Sequence, residues 1–251
     1  MLKAILFDVD GTLADTERDG HRPAFNQAFK DAGLDWHWGE DTYGELLSVT
    51  GGKERIRYFI DKYHPKVPQV ANQSAWIADL HRSKTAHYLQ LLKQGKIPLR
   101  PGVSRLINQA RDQNIRLAIA TTTTPENVTE LLKATLGEDS INWFEVIAAG
   151  DIVPAKKPAP DIYTFTLKEM NLEPNECIAL EDSHNGVVSA RHADLTVIVT
   201  ANPYTAGDDF SGASAVLSDL GEPNRPCRRI SGCEPTKGYV DTAFLSYCLP
   251  R

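Results

Sequence analysis

The stretch LKAILFDVDGTLADT, residues 2–16, determines how the rest of the chain is interpreted. Its apolar run AILFDVD predicts a buried strand. The run nevertheless ends in two aspartates, Asp8 and Asp10, which Gly11 and Thr12 follow directly. A carboxylate is costly to bury unless a cation or hydrogen-bond donors compensate its charge. We therefore expect Asp8 and Asp10 to meet a cation, a hydrogen-bond network or both.

Further short apolar runs with little alternation follow this first strand. Such runs are typical of strands that are covered on both faces, as in a parallel sheet. From about residue 100 onward, helical patterns lie between most of them, for instance TPENVTELLKATLG. The alternation predicts an α/β fold with a doubly wound parallel sheet. The predicted strands after the first are RLAIATT, FEVIAAGD, CIALED, LTVIVT and the weaker ASAVLSD.

One interval interrupts the alternation of strands and helices. Between FDVDGTLAD and RPGVSRLINQA the pattern is almost wholly helical, with apolar residues at three- and four-residue spacing. Pro98 and Pro101 mark the return to the α/β pattern. We predict a core domain of residues 1–15 and 99–251, with a smaller all-helical cap domain, residues 16–98, inserted after strand 1.

The composition excludes several classes of function. The chain has 251 residues, of which 41% are hydrophobic and 24% charged, and its formal net charge is −6. A negative net charge does not favour binding to nucleic acid or to an anionic membrane. No segment has the ~20 apolar residues of a transmembrane helix. No signal peptide precedes the first strand, and no C-x-x-C spacing occurs. We expect a soluble, unsecreted monomer in a reducing compartment.

Polar residues gather where the predicted strands end. In an open parallel sheet, the carboxyl ends of the strands form the edge at which ligands bind. Four acidic residues, a hydroxyl pair and a lysine would crowd this edge, so the set calls for one explanation. The residues are Asp8 and Asp10 after the first strand, Thr121 and Thr122 after the next, Lys157 in AKKPAPD, and Glu181 and Asp182 after CIAL.

Phosphoryl transfer through an aspartate explains this set of residues. Acidic groups at Asp8 and Asp182 suit Mg²⁺, a hard cation that takes oxygen ligands and offsets repulsion between a carboxylate and a phosphate dianion. Asp8 can attack phosphorus. Asp10 can protonate the leaving oxygen and later take a proton from water. The Thr121 hydroxyl and the Lys157 ammonium can hold the phosphate oxygens.

Four short motifs in this order carry a family resemblance. DVDGT, the threonine after an apolar strand, KKPAPD and LEDS resemble the motifs of the haloacid dehalogenase (HAD) superfamily. The helical insertion is similar to that of its C1-cap phosphatases and phosphomutases. The resemblance covers the chain to about residue 220. It implies a HAD-like, Rossmannoid core and a Mg²⁺-dependent reaction through an aspartyl-phosphate.

The resemblance also implies a role for each motif residue. Asp8 would be the nucleophile and Asp10 the acid/base, while Thr121, Thr122 and Lys157 would bind phosphate. The implied metal ligands are Asp8, Asp182 with Glu181 beside it, and Asp10 through its backbone carbonyl.

The predicted cap carries the stretch TGGKERIRYF, in which Thr50, Gly51 and Gly52 precede Lys53 and Arg55. A glycine pair beside two cations suits a backbone that curls around an anion, with Arg55 able to grip a phosphate in a bidentate fork. The alternative is a helix N-terminus with a solvated basic face. The residues by themselves leave both interpretations open.

Longer stretches resemble the CbbY-type phosphatases of photosynthetic and carbon-fixing organisms. They are TERDGHRPAFNQAF, DTYGELLSVTGGKERI, PLRPGV and AGDIVPAKKPAPDIY. The resemblance implies removal of the C1 phosphate from xylulose-1,5-bisphosphate, a Rubisco inhibitor, to give xylulose 5-phosphate. It implies that Lys53 and Arg55 hold the second phosphate. The expected compartment is the bacterial cytoplasm or the plastid stroma. Glu17 and His21 are assigned to the sugar by position only, and ordinary polarity on a first helix is their alternative interpretation.

Three other functions stay open at this point. A phosphomutase of the β-phosphoglucomutase kind would use the same nucleophile and metal, and a phosphoglycolate-type phosphatase would act on a smaller substrate. A binding module without catalysis predicts the loss of a motif carboxylate, and all are present. The last residues, NRPCRRISGCEPTKGYVDTAFLSYCLPR, match no motif. We interpret them as an inert surface extension, with an interface or a thiol switch as alternatives.

Overall fold

The computed structural model describes residues 1–49 and 51–250. The chain divides into two compact units: a sheet unit, formed by Met1–Asp15 and the chain from Pro98 onward, and a helical unit, Thr16–Ile97. A membrane-spanning helix is not found among the described residues, because none of their helices joins sufficient length with sufficient apolar character.

The helical unit has its own aromatic core. Trp38 is fully buried, and its ring centroid lies 4.6 Å from that of Phe25, 4.8 Å from Phe29 and 5.3 Å from Phe59. Such ring pairs add to the stabilisation from buried apolar area. The described elements are a π-helical turn (Glu17–His21) and the helices α1 (Arg22–Asp31), α2 (Glu40–Leu46), α3 (Gly52–Tyr63) and α4 (Gln73–Lys93).

A single sheet of seven strands, counted over the described residues, organises the sheet unit. The strands are β1 (Ala4–Phe7), β2 (Arg116–Ala120), β3 (Val146–Ala148), β4 (Cys177–Glu181), β5 (Thr196–Thr200), β6 (Ala215–Leu217) and β7 (Arg229–Gly232). Their order in the sheet is β3-β2-β1-β4-β5-β6-β7. All neighbouring pairs are parallel except β6 and β7. The predicted parallel α/β sheet is confirmed, and β7 adds an antiparallel edge.

Helices cover both faces of this sheet. Leu6 and Ala179 belong to a core cluster that includes Tyr163 and Val187 from two of the helices. Residues that point the other way, such as Ile5, are equally buried. Burial on both faces is the reason that the strand sequences lack alternation. The helices are α5 (Val103–Asp112), α6 (Pro125–Leu136), α7 (Asp161–Met170), α8 (His184–His192) and α9 (Thr242–Cys248), with 3₁₀ turns at Glu138–Trp143 and Pro174–Glu176.

The C-terminal segment is an integral part of the sheet unit. β7 pairs with β6, and α9 contacts α5. Arg105 on α5 donates a hydrogen bond to the Val240 carbonyl of this segment at 2.9 Å. Leu245 on α9 is fully buried. The interpretation of this segment as an inert surface extension is therefore wrong. β7 is exposed at every residue, so its sequence carries no apolar signal.

Candidate active site

Polar residues meet at the carboxyl ends of the central strands. Asp8 follows β1, Thr121 follows β2 and Asp182 follows β4. All three side chains are buried. Phe7 pairs with Leu180 in the parallel register of β1 and β4, and the Asp8 N–H donates to the Leu180 carbonyl at 3.0 Å. This register brings together the carboxylates that follow the two strands.

Lys157 joins the carboxylate of Asp8 to that of Glu181, the last residue of β4. Its Nζ atom donates to Oδ1 of Asp8 at 2.7 Å, to Oε1 of Glu181 at 2.6 Å and to the Ala120 carbonyl at 2.9 Å. The Tyr163 hydroxyl donates to the same Glu181 oxygen at 2.5 Å. Charge-assisted hydrogen bonds of this kind are stronger than neutral ones. Lys157 therefore holds the ends of β1, β2 and β4 in one arrangement.

The carboxylates of Asp8, Glu181 and Asp182 fit a divalent cation. One oxygen from each lies within 4.8 Å of the others. Among the described residues, Lys157 makes the ion pairs with Asp8 and Glu181, so one ammonium faces a cluster with up to three negative charges. Oxygen donors at this spacing suit a hard cation, which would balance the remaining charge. The donor set therefore fits a metal site.

The pKa shifts of the site residues also favour a bound cation. Burial raises the pKa of Asp8 to about 7 against the opposing attraction of Lys157. Burial, together with the charges of Asp8 and Glu181, raises the pKa of Asp182 well above its usual range. Burial acts to lower the pKa of Lys157, but the Asp8 and Glu181 charges outweigh it and the pKa rises. A nearby positive charge would therefore stabilise the ionised form of each carboxylate and take the place of its proton.

Gly11 and Asn202 set the orientation of Asp182. Nδ2 of Asn202 donates to Oδ2 of Asp182 at 2.7 Å. Gly11 has φ +84°, and a Cβ atom there would lie 2.1 Å from the same oxygen, so a larger residue does not fit. The half-buried Asp10 precedes Gly11 in a tight loop, in which the Gly11 N–H donates to the Ala14 carbonyl at 2.8 Å.

The predicted phosphate-binding threonines follow the strand next to β1. Thr121 is buried, and its N–H donates to the Ala148 carbonyl at 3.0 Å. Its Oγ1 accepts from the Thr123 N–H at 3.4 Å. Thr122 is half-buried. The sheet therefore supplies Thr121 and Thr122 at the edge where β1 supplies Asp8.

The predicted cap residues form two groups within the helical unit. In the first, the Tyr43 hydroxyl donates to Oε2 of Glu17 at 2.5 Å and accepts from Nη1 of Arg55 at 2.9 Å. The Arg55 Nη1 atom lies 3.6 Å from the same Glu17 oxygen. In the second, Nδ1 of His21 lies 2.7 Å from Nζ of Lys84. Each group holds a predicted residue against a partner that the sequence did not reveal.

The second group has a positive electrostatic environment. Burial lowers the pKa of His81 to about 4, and the charges of Lys84 and Lys53 act in the same direction. Gly52 begins α3 against this histidine, since a Cβ atom at Gly52 would come within 2.4 Å of the His81 ring. The charges of Lys84 and Lys53 therefore act near the start of α3, where the Glu54 carboxylate opposes them. Of the predicted stretch, Gly51 is the N-cap, Gly52 and Lys53 open α3, and Thr50 lies outside the described residues.

Comparison with known proteins identifies the family. A family model described as haloacid dehalogenase-like hydrolase matches residues 2–194. The chain belongs to the haloacid dehalogenase-like hydrolases.

Two proteins within this hydrolase family are similar over most of the chain. The protein CbbY of Rhodobacter capsulatus is 49% identical over 219 residues, which are 87% of this chain and 94% of that protein. CbbY from Rhodobacter sphaeroides, solved in complex with phosphate, is 47% identical with a TM-score of 0.78 and covers 88% of this chain and 96% of that one. A variant of the latter, solved with xylulose-1,5-bisphosphate, matches with the same identity, TM-score and coverage. The chain is an enzyme, a CbbY-like phosphatase of the HAD-like hydrolases.

In this HAD-like hydrolase, sequence reasoning found the charged groups and missed the residues that orient them. Asn202 lies two residues after the end of β5, and Asp182 lies one residue after the end of β4. The polar residue that follows LTVIVT was therefore a signal for Asn202. Tyr163 on α7 offers no comparable signal, because its contact with Glu181 depends on how α7 packs against the sheet.

Lys84 is a second residue that the sequence reasoning missed, although a signal for it exists. The buried residues of α4 are Ile77, Leu80, Lys84, Tyr88 and Leu92. Lys84 therefore occupies a position in the apolar stripe of an amphipathic helix. A lysine at such a position is either a stem that reaches water or a buried cation with a partner. The His21 contact shows that it is the latter.

Proposed function

We propose that this hydrolase removes the C1 phosphate of xylulose-1,5-bisphosphate, with Mg²⁺ as cofactor, and releases xylulose 5-phosphate. The observation that carries the proposal is the contact of Lys157 with Asp8 beside the Asp182 carboxylate. The choice of substrate is based on a CbbY protein, 47% identical to this chain, that was solved in complex with this bisphosphate. A buried carboxylate held by lysine beside a cation-binding cluster is suited to covalent phosphoryl transfer.

Asp8 is the nucleophile in this proposal. Lys157 holds Oδ1 of Asp8 at 2.7 Å, which leaves Oδ2 to attack phosphorus. The new phosphorus–oxygen bond forms as the bond to the C1 oxygen of the sugar breaks. Asp10 donates its proton to that oxygen, which leaves as the neutral C1 hydroxyl of xylulose 5-phosphate. The product of this step is an aspartyl-phosphate on Asp8.

Hydrolysis of the aspartyl-phosphate uses the same two aspartates. Asp10, now ionised, takes a proton from a water molecule whose oxygen attacks phosphorus. The bond between phosphorus and Asp8 breaks, and orthophosphate leaves. Because Gly11 fixes the loop that bears Asp10 against Asp182, the acid/base stays near the reacting group in both steps.

The remaining site residues of the sheet unit bind the metal ion or the phosphate. Asp8, Asp182 and the backbone carbonyl of Asp10, with Glu181 beside them, would hold Mg²⁺, which when bound neutralises phosphate oxygens and steadies the transferring group. Lys157 contributes a second positive charge on the Asp8 side. We assign binding of the phosphate oxygens to the hydroxyls of Thr121 and Thr122, together with the backbone N–H groups that follow Thr121.

We assign recognition of the rest of the substrate to the helical unit, which acts as the cap. Arg55 is a buried guanidinium that Tyr43 holds in place, and a fixed guanidinium is suited to bidentate phosphate binding. Lys53 adds a second cation for the distal phosphate. Glu17 and His21 are assigned to sugar hydroxyls. Thr50, Gly51 and Gly52 complete the assigned stretch.

A phosphate-release screen tests the proposal. The enzyme is incubated with Mg²⁺ and, in turn, xylulose-1,5-bisphosphate, other sugar bisphosphates, sugar monophosphates and phosphoglycolate. Orthophosphate is quantified, and the organic product is identified by ³¹P and ¹H NMR. We expect the highest kcat/KM for xylulose-1,5-bisphosphate, with one orthophosphate released and only the C5 phosphate retained.

The same screen separates the rival functions. Isomerised sugar phosphates without equivalent orthophosphate would identify a phosphomutase. A higher kcat/KM for phosphoglycolate would identify the smaller-substrate phosphatase. Unchanged activity after chelation with EDTA and gel filtration would contradict the role of Mg²⁺.

A further inference from the structure

Arg100 is a buried arginine of the sheet unit that gathers carbonyl oxygens from separate segments. Its Nη1 atom donates to the carbonyls of Gly11 and of Thr200, the latter at 2.7 Å. Its Nη2 atom donates to the carbonyls of Ala201 and Ser218, each at 2.8 Å. A planar guanidinium with several fixed donors can serve all these acceptors, whereas an ammonium has no such geometry.

The first of these acceptors belongs to the catalytic loop. Gly11 follows Asp10 directly. It also packs so closely on Asp182 that a Cβ atom would lie 2.1 Å from Oδ2. The guanidinium of Arg100 therefore anchors the short piece of backbone that carries Asp10 and touches Asp182.

The next acceptors belong to the end of β5. Thr200 and Ala201 immediately precede Asn202, whose Nδ2 donates to Oδ2 of Asp182 at 2.7 Å. Fixing the carbonyls of Thr200 and Ala201 fixes the backbone from which Asn202 reaches this oxygen. One guanidinium thus holds the carbonyl of Gly11 and the backbone that leads into Asn202, two residues that lie against Oδ2 of Asp182.

Arg100 also ties the two points where the chain leaves and re-enters the sheet unit. Its Nε atom lies 3.2 Å from Oδ1 of Asp15, the last residue before the helical insertion. Its backbone N–H donates to the Leu13 carbonyl at 2.8 Å. The loop that begins at Asp10 is therefore held at both ends by the same residue.

We propose that Arg100 is a positioning residue, which sets Asp182 for cation binding and Asp10 for proton transfer by holding Gly11 and Asn202. The proposal rests on the proposed phosphatase function of this site. Loss of the guanidinium frees two contacts of a metal-binding carboxylate, and misplacement of a reacting group by 1 Å costs about 100-fold in rate. Groups that orient a metal ligand typically contribute about 10- to 100-fold to metal affinity.

The test compares Arg100→Ala with Arg105→Ala. Arg105 is a matched control, because its guanidinium also binds backbone carbonyls, those of Leu220, Gly221 and Val240. For Arg100→Ala we expect a fall in kcat of about 100-fold on p-nitrophenyl phosphate, with KM within about threefold of wild type. Calorimetry without substrate should show the Mg²⁺ Kd raised about tenfold. Added guanidinium ion should restore activity to Arg100→Ala.

The control and a second variant keep the outcome decisive. Arg105→Ala should keep kcat and Mg²⁺ Kd within about twofold of wild type and should not respond to guanidinium. If Arg100→Ala is unfolded by circular dichroism, Arg100→Lys carries the test, with a lowered kcat and a raised Mg²⁺ Kd expected. A folded Arg100 variant with wild-type kcat and Mg²⁺ Kd would overturn the proposal. A wild-type enzyme without phosphatase activity would overturn the proposed function, while the Mg²⁺ titration would still decide the role of Arg100.

Discussion

The Nζ atom of Lys157 donates a hydrogen bond to Oδ1 of Asp8 at 2.7 Å, although 149 positions separate the two residues in the sequence. The contact places a fixed positive charge on one oxygen of a buried carboxylate. It thereby holds the side chain of Asp8 at the carboxyl end of β1. The proposed chemistry and the predictions for this end of the sheet depend on that arrangement.

Asp8→Asn should abolish turnover while the protein stays folded. The amide cannot act as the nucleophile, so kcat on p-nitrophenyl phosphate should fall by about 10⁴-fold or more. Mg²⁺ binding should only weaken, because Asp182 and Glu181 remain. Asp151→Asn, an exposed change in the same unit, should retain activity. Substantial phosphatase activity in Asp8→Asn would show that another group attacks phosphorus.

The stability of the metal-free enzyme should fall as the pH rises toward neutrality. The pKa of Asp8 is raised from 3.8 to about 7, so the folded state binds more protons than the unfolded state between these values. The stabilisation is fully present below pH 3.8 and is lost as the pH rises through about 7. Urea unfolding in EDTA should show a decrease on the order of a few kcal/mol across this window.

Asp8→Asn provides the control for this pH dependence. An asparagine does not titrate, so the variant should lose less stability than wild type between pH 5 and pH 8 (about 1.4 kcal/mol corresponds to one unit of pKa shift). The variant should therefore be the more stable of the two at pH 8 in EDTA. Parallel stability curves for the two proteins would mean that Asp8 ionises normally when buried.

Arg55→Ala should impair binding of a bisphosphate more than that of a simple monoester. If Arg55 holds the second phosphate, KM for xylulose-1,5-bisphosphate should rise at least about tenfold, since charge-assisted hydrogen bonds contribute roughly 1.5–3 kcal/mol. KM for p-nitrophenyl phosphate should change little. Arg57→Ala, on the same helix but exposed, should affect neither. An equal rise in KM for both substrates would remove Arg55 from recognition of the second phosphate.

Leu245→Ala should destabilise the protein, although it lies in the segment that matches no motif. Leu245 is fully buried on α9, and truncation of a buried leucine costs about 2–5 kcal/mol. Tyr247 on the same helix is 69% exposed, so Tyr247→Ala should change stability by no more than about 0.5 kcal/mol. Thermal and urea unfolding measure both. Equal effects of the two substitutions would mean that α9 does not pack on the sheet unit in solution.

Much of the fold was predictable because local patterns carried it. The run AILF, which lacks alternation, indicated a strand buried on both faces, and β1 is buried at every residue. The same reasoning placed Asp8 and Asp182 at strand ends, where parallel strands bring their carboxyl ends to one edge. The tail was not predictable in this way, because β7 is an exposed edge strand held by backbone hydrogen bonds to β6.

By itself the sequence determined which chemistry is available: carboxylates, hydroxyls and a lysine at strand ends, in an order that identifies a hydrolase family. Only the tertiary structure decided which groups touch, such as Lys157 with Glu181, Tyr43 with Arg55, and Arg100 with Gly11. The physical reason is the distance along the chain over which each kind of information acts. Burial patterns along a strand or helix report local preference, whereas these contacts depend on strand order, register and helix packing between segments far apart in the chain.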